Sequence, residues 1–492
     1  MGYLKIAVNG VVWTTISTIV RSLASLIQVS ILTRLLSRSD FGTIAIAMLY
    51  VGFTQIFMDM GISAGIMHKQ NISSNEYSSL FWLNVISGIF LSLGLSVSAP
   101  LVAYIYNDPG LSPIIIILGT TIFLSTLGSQ QRIVQQKQMR FKTISIVEIS
   151  GNIIGLFTAI VLAHMGYGVY SIAYASVIQS GSIGILFLLI GLINDSNIKF
   201  HFKITDTIPF LKIGSFSVGS QILDYFSREL DIIIISAILG KDSVGLYSLC
   251  KKIVLSIYNS INPIITKVLT PIFATIQAEK DGLRRIYLDT IQTLAIVNYP
   301  LYSLVAIFSV GILNFIYGQE YVDGYIVLSF ISLTYGLHST GSPVGSLQVA
   351  LGKTDTGFYW TIIRILLSIT AVYIGVQVDL NFLSFVLFLV PLISNYIFWK
   401  ITIEPLVNIK YFYYFKSTII TLIFVIIYSL PFYFFFRDYT SVPLCILIGF
   451  LYCVIYLLAC NTLGFKNFYI IRLINNIIYS KLFNSKNKHE IE

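Results

Sequence analysis

The sequence predicts an all-α polytopic membrane protein with about 14 transmembrane helices, arranged as two parallel six-helix repeats plus two C-terminal helices. Three observations carry that expectation. The 492 residues are 56% hydrophobic and only 11% charged, with a mean hydropathy of +0.82, whereas a soluble domain carries about 25% charged residues. Runs of about 20 mostly apolar residues recur from end to end. The two halves also repeat one another in turn chemistry at a nearly constant offset.

Polar breaks place the spans at approximately 11–36, 41–64, 79–103, 112–132, 143–165, 168–192, 212–239, 244–273, 287–314, 322–348, 357–377, 380–401, 415–436 and 440–463. The first run contains Arg21 and leads into Leu35-Leu36-Ser37-Arg38 instead of a small-residue cleavage site. It is therefore expected to be a retained span and not a signal peptide. The connections are too short to hold a soluble catalytic domain, and no GxxxxGK[ST] motif occurs. The four cysteines lie in apolar stretches without CxxC or Cys/His pairing, as small core thiols do. No cofactor, metal or enzymatic activity is expected.

The lysines and arginines set the orientation. With the N-terminus in the cytoplasm, 21 of the 31 positive residues fall in cytoplasmic connections and tails; four lie on the opposite side and six inside spans. This positive-inside bias places both termini on the cytoplasmic side of the membrane. It also accounts for much of the formal charge of +9, so nucleic acid is not an expected partner. The C-terminal stretch 465–483 alternates apolar with basic or amide positions at helical spacing, as an interfacial helix does.

The repeat is visible in LLSRSDFG (35–42) against ILGKDSVG (238–245), an offset of 203. Further along, Tyr106 matches Tyr317 and Lys142 matches Lys353 at an offset of 211. Six helices restore the starting orientation, so the halves are parallel repeats, and in such transporters the substrate site lies between them near the midplane. The expected domains are 1–195 and 196–402 as six-helix bundles, 403–464 as helices 13 and 14, and 465–492 as a cytoplasmic amphipathic helix and tail.

Ionisable groups inside a bilayer cost about 2.5–3.5 kcal/mol each on insertion scales, so they face a cavity or a partner. The spans hold six cations, Arg21, Arg228, Lys251, Lys252, Lys267 and Arg364, and four anions, Glu148, Asp224, Glu229 and Asp231. The run ILDYFSRELDIIIISAIL (222–239) carries four of them. Asp224, Arg228 and Asp231 share one helix face at i, i+4 and i+7, so Arg228 can pair with either aspartate. Lys251 and Lys252 lie opposite on the next span. Two readings stand: a salt-bridge network fixing that hairpin, or a gating or ion-coupling set in which Asp224, Arg228, Glu229, Asp231 and Glu148 take part. Arg21 and Arg364 have no carboxylate at i±3 or i±4, which makes them candidates for an anionic substrate group. An interhelical partner is the alternative for both, and snorkelling for Arg364. Asn262-Pro263 and Pro271 are expected to interrupt span 8, and GSPVG (341–345) span 10.

The stretch LTRLLSRSDFGTIAIAMLYVGFTQIFMDMGISAGIMHKQ (32–70) resembles the amino-terminal signature of bacterial polysaccharide flippases. SRELDIIIISAILGKDSVGLYSLCKKI (227–253) is similar to the start of their second half, and Gln136-Lys-Gln-Met-Arg-Phe-Lys142 resembles them too. They belong to the multidrug/oligosaccharidyl-lipid/polysaccharide exporter superfamily, and the resemblance covers roughly residues 1–400. It implies a pair of six-helix bundles working by alternating access on polyprenyl-diphosphate-linked oligosaccharides within membrane lipids. It further implies a cationic cavity for the diphosphate, for which Arg21, Lys251, Lys252 and Arg364 are the available positions. A coupling proton or sodium ion and contact with polysaccharide polymerase machinery are compatible with it.

Two rivals remain at this point. A cation-coupled multidrug exporter of the same superfamily would favour an acidic site in the first half, where only Glu148 and Asp59 are available. A membrane-embedded glycan polymerase or ligase would need a sizeable external loop, and none is present.

Overall fold

A computed structural model describes residues 2–69, 72–195, 199–436 and 442–462, and all regular structure in them is helical. The first stretch holds α1 (Gly2–Leu32), α2 (Arg38–Met58), α3 (Ile62–His68), α4 (Ser74–Ile105), α5 (Leu111–Lys137), α6 (Phe141–His164) and α7 (Tyr170–Asp195). Then come α8 (Ile204–Ile238), α9 (Gly240–Thr275), α10 (Lys280–Ile307) and α11 (Ser309–Ile316). A 3-10 turn (Gln319–Gly324) leads into α12 (Tyr325–Ser339), α13 (Pro343–Leu351), α14 (Asp355–Val376) and α15 (Leu380–Ile393). The short α16 (Asn395–Phe398) and α17 (Glu404–Val407) flank a π-helical turn, and α18 (Tyr411–Phe436) and α19 (Val442–Thr462) close the series.

The chain is an all-α polytopic membrane protein. Among the described residues, nine helices are long and apolar enough to cross a bilayer, and ten if the bent pair α15 and α16–α17 is one span. The expected fourteen are not all reached by this measure, for a physical reason. α8 and α9 are the longest helices, at 35 and 36 residues, but they carry the ionisable cluster and lose the uniform apolarity of a lipid-facing span. The tenth expected span is broken into α12 and α13 at Thr340–Ser342, on the GSPVG stretch. Span 8 differs from expectation in the other direction: α9 runs unbroken through Pro263 and Pro271. A bilayer segment tolerates the lost backbone bond when neighbours re-satisfy it. The expected amphipathic helix at 465–483 lies outside the described residues.

Local sequence explains where the first helices start. Ser37 caps α2 by accepting from the Asp40 N–H while the Asp40 carboxylate accepts from the Ser37 N–H, and Ser73 with Glu76 does the same for α4. These reciprocal bonds satisfy two orphan donors at each start. Helix starts then recur along the chain. α2 begins at Arg38 and α9 at Gly240, α6 at Phe141 and α14 at Asp355, α7 at Tyr170 and α15 at Leu380.

The chain divides into two compact units. One contains Met1–Ser260 and Thr361–Leu383, and the other Ile261–Trp360 and the chain from Ser384 onward. In the first, α5 packs on α4 and α7, α1 on α6, and α8 on α2, α3 and α4. Small residues let these helices approach. A Cβ on Gly184 would lie 2.2 Å from the Leu124 carbonyl oxygen, and one on Gly128 would lie 2.6 Å from that of Gly184. With lipid tails as apolar as leucine, such close backbone packing is what holds membrane helices together. In the second unit α10 is the hub, packing on α12 and α18 around Ile296, Tyr299 and Val425.

Candidate functional site

The first unit contains a cavity of about 400 Å³ between α1, α8 and α9. Each helix offers one face. From α1 come Thr18, Arg21, Ser22 and Ser25, at i, i+3, i+4 and i+7. From α9 come Ser248, Lys251, Lys252, Leu255, Ser256 and Asn259, again three and four apart, and from α8 Glu229 and Ile232. Residues so spaced share a stripe on a helix, so two polar stripes face one another. Three of the four cations expected to meet a substrate phosphate, Arg21, Lys251 and Lys252, are brought together here. Among the described residues no aromatic ring lines the cavity.

The three cations are not equivalent. Lys251 is nearly buried, with a side chain 5% exposed. Its ammonium donates to both Asp231 oxygens at 2.9 and 3.0 Å and to the Arg228 carbonyl at 2.6 Å, and lies 3.8 Å from Glu229. Asp231 also accepts from the Tyr247 hydroxyl at 2.6 Å. This network ties α8 to α9 across the hairpin. Burying a charge demands such company, and Lys251 has it. Lys252, the next residue on α9, makes no hydrogen bond or ion pair among the described residues and faces the same cavity. Arg21 lies between these extremes. Its Nη1 meets Glu148 Oε2 at 3.0 Å and its Nε donates to the Ser17 carbonyl at 3.4 Å, with the side chain still 37% exposed.

Glu148 on α6 is held from two sides. Its Oε2 takes Arg21, while its Oε1 accepts from Arg132 Nε at 2.9 Å and lies 2.7 Å from Arg132 Nη2. Asn152, one turn on, donates to the Glu148 carbonyl and leaves the carboxylate to the arginines. Of the two readings for Arg21, the interhelical partner is the one formed, and its accessible remainder still faces the cavity.

Other expected residues are placed elsewhere. The pairing of Arg228 with an aspartate does not form: Asp231 is taken by Lys251 and Tyr247, and Arg228 Nε donates to the Asp224 carbonyl at 3.4 Å. Asp224 and Arg228 are exposed on α8 and do not line the cavity. Arg364, half-buried on α14, lies within electrostatic reach of Tyr258 on α9 and also lines no part of the cavity. The Lys267 side chain is outside the described residues.

Arg132 is half of the Glu148 clamp, and the sequence reading gives no sign of it: nothing local signals a partner 16 residues away on another helix. The hydroxyl and amide stripe was legible, because Thr18, Ser22 and Ser25 already stand at helical spacing.

A family model described as "Polysaccharide biosynthesis protein" matches residues 31–325. The chain is 27% identical over 416 residues to the lipopolysaccharide biosynthesis protein WzxC of Escherichia coli (strain K12), covering 83% of both chains. It is 27% identical over 360 residues to the teichuronic acid biosynthesis protein TuaB of Bacillus subtilis (strain 168), covering 72% of this chain and 74% of the relative. Its fold is similar to that of the lipid II flippase MurJ in an inward closed conformation, with a TM-score of 0.72 at 14% identity, over 91% of this chain and 98% of that one.

Proposed function

The chain belongs to the polysaccharide biosynthesis protein family, and from that premise we propose that it is a flippase for polyprenyl-diphosphate-linked oligosaccharide. It carries the lipid-linked repeat unit across the bacterial cytoplasmic membrane by alternating access, with both termini in the cytoplasm and the six-helix blocks 1–195 and 196–402 as the moving halves. No bond of the substrate is made or broken. The observation that carries this reading is the cavity in which Arg21 and Lys252 face the same space, flanked by hydroxyl and amide stripes. The two cations match a diphosphate, and the hydroxyl stripes match sugar hydroxyls without demanding one particular sugar. The relatives named for lipopolysaccharide and teichuronic acid biosynthesis and the likeness to a lipid II flippase support the same substrate class. Cationic lining argues against the multidrug-exporter alternative, which favours an acidic site.

Lys251, saturated by Asp231 and the Arg228 carbonyl, is a structural cation that stiffens the cavity wall. Asp224, Arg228 and Glu229 remain candidates for gating, and Arg364 for an anionic substrate group. Contact with polymerase machinery and coupling to an ion are further expectations of this reading.

The test replaces Arg21 or Lys252 with alanine in a cell that depends on this protein for glycan export. Each variant is expected to remain folded in the membrane while lipid-linked repeat units accumulate in the inner leaflet. Normal export at wild-type protein levels would remove the cavity from the mechanism.

A further inference from the structure

Arg21 presents a problem that the proposed function alone does not solve. The bilayer surrounds this cavity with phospholipids whose headgroups carry one phosphate charge, in great excess over any polyprenyl carrier. A bare guanidinium facing the cavity would be occupied by them. The structure offers an answer in the Glu148 clamp: the guanidinium already holds a carboxylate at 3.0 Å, and that carboxylate is anchored from behind by Arg132 at 2.7–2.9 Å.

We infer that Glu148 is a selectivity residue, an internal counter-ion that lets a diphosphate but not a monophosphate engage Arg21. This rests on the reading of the cavity as a diphosphate site. A single phosphate arriving at Arg21 exchanges one anionic partner for another of like charge, and gains little for the desolvation it undergoes. A diphosphate brings a second charge that reaches Lys252, which has no anionic partner of its own within pairing distance among the described residues. Only the ligand that spans both cations gains a new charge pair. Arg132 is the positioning residue. It does not line the cavity, but it fixes the carboxylate so that Glu148 Oε2 stays on Arg21.

The neighbours of Glu148 support the assignment. The carboxylate is 9% exposed, and its two charged partners come from α1 and α5, so it is enclosed by cations on both sides. A carboxylate meant only to neutralise one arginine needs no second. Here each oxygen has its own guanidinium, which holds the carboxylate in place from both sides.

The experiment uses the full-length protein in phosphatidylcholine nanodiscs. It measures binding of a sugar-linked polyprenyl diphosphate and of the sugar-linked polyprenyl monophosphate of equal chain length, phosphodiesters with two charges and one, with phosphatidylglycerol titrated in as competitor. The wild type is expected to prefer the diphosphate and to resist phosphatidylglycerol. In Glu148→Gln the monophosphate should bind about tenfold tighter while the diphosphate changes far less, and phosphatidylglycerol should become a competitor. Because that variant leaves two arginines without their counter-ion, the double variant Arg132→Gln/Glu148→Gln restores the charge balance. It should lose selectivity in the same way. Equal changes for both ligands, or unchanged selectivity in the double variant, overturn the role of Glu148 and leave the flippase reading intact. A wild type that binds neither ligand overturns both.

Discussion

Gly42 and Gly245 occupy equivalent places in the two repeats and pack in the same crossing. A Cβ on Gly42 would stand 2.1 Å from the Lys241 carbonyl oxygen, and a Cβ on Gly245 would stand 2.1 Å from that of Arg38. The pairs Gly42/Gly245 and Arg38/Lys241 are each separated by 203 residues. The contact therefore maps onto itself when the repeats are exchanged, as an isologous contact about a pseudo-two-fold axis does. Lys241, at this crossing, also forms an ion pair with Asp108.

The glycine crossing gives the first prediction. Alanine at Gly245 would place a methyl group inside the Arg38 backbone, and overpacking of this kind costs about 1–3 kcal/mol. In the proposed orientation this crossing closes the outer side. Gly245→Ala should lower the melting temperature of the detergent-solubilised protein. It should also raise labelling of a cavity cysteine, Ser22→Cys in a background without native cysteines, by an impermeant reagent added from outside. Unchanged labelling together with unchanged melting would show that the crossing is not a closure.

The neighbouring lysines should separate stability from transport. Lys251→Ala leaves Asp231 and the Arg228 carbonyl without their cation, and breaking a buried pair costs about 3–5 kcal/mol. Its main effect should be a loss of folded protein, partly recovered in Lys251→Ala/Asp231→Ala. Lys252→Ala should melt near wild type and still fail to transport. Thermal melts beside a flipping assay decide the matter, and equal melting of the two single variants would contradict the assignment.

A third prediction concerns pH. The hydrogen bond from His201, with smaller help from Ser79 and Lys203, holds the Asp206 carboxyl below the ordinary carboxylate range. A group whose folded value is depressed contributes stability above its unfolded value, about 3.9, and that contribution fades as pH falls through the folded value. The melting-temperature gap between wild type and Asp206→Asn should thus be present at pH 5 and shrink as the pH falls below about 4. A gap that widens with acid would reverse the sign.

The second unit offers a control far from the cavity in function. Tyr452 bonds Ser303 at 2.7 Å and Ser429 at 2.8 Å, joining α10, α18 and α19 through buried hydroxyls. Tyr452→Phe removes both bonds, at roughly 1 kcal/mol each. The variant should melt lower yet flip substrate normally once folded. Loss of transport without loss of stability would move this network into the mechanism.

Much of the fold was readable because helix formation in a bilayer is a local matter. Long apolar runs gave the spans, and the Ser37/Asp40 and Ser73/Glu76 boxes are themselves short-range signals. The site was readable in part. The charges at Arg21, Lys251 and Lys252 stand out in apolar helices, and the structure gathers them. Their pairing was readable only in outline: a network across the α8–α9 hairpin was one of two readings, but the i, i+4 spacing of Arg228 with Asp224 pointed along α8, and nothing in the sequence said that Asp231 would take Lys251 and leave Lys252.

By itself, the sequence determined an all-helical membrane protein, its internal repeat, and which residues bear intramembrane charge. The reason is that each follows from composition and from periodicity within one segment. Only the tertiary structure decided which cations are spent on internal carboxylates and which still face open space. That depends on distances between side chains on different helices, and neither hydropathy nor helical spacing encodes them. Lys251 and Lys252 show the difference: adjacent in sequence and identical in chemistry, they differ because one points at Asp231 and the other does not.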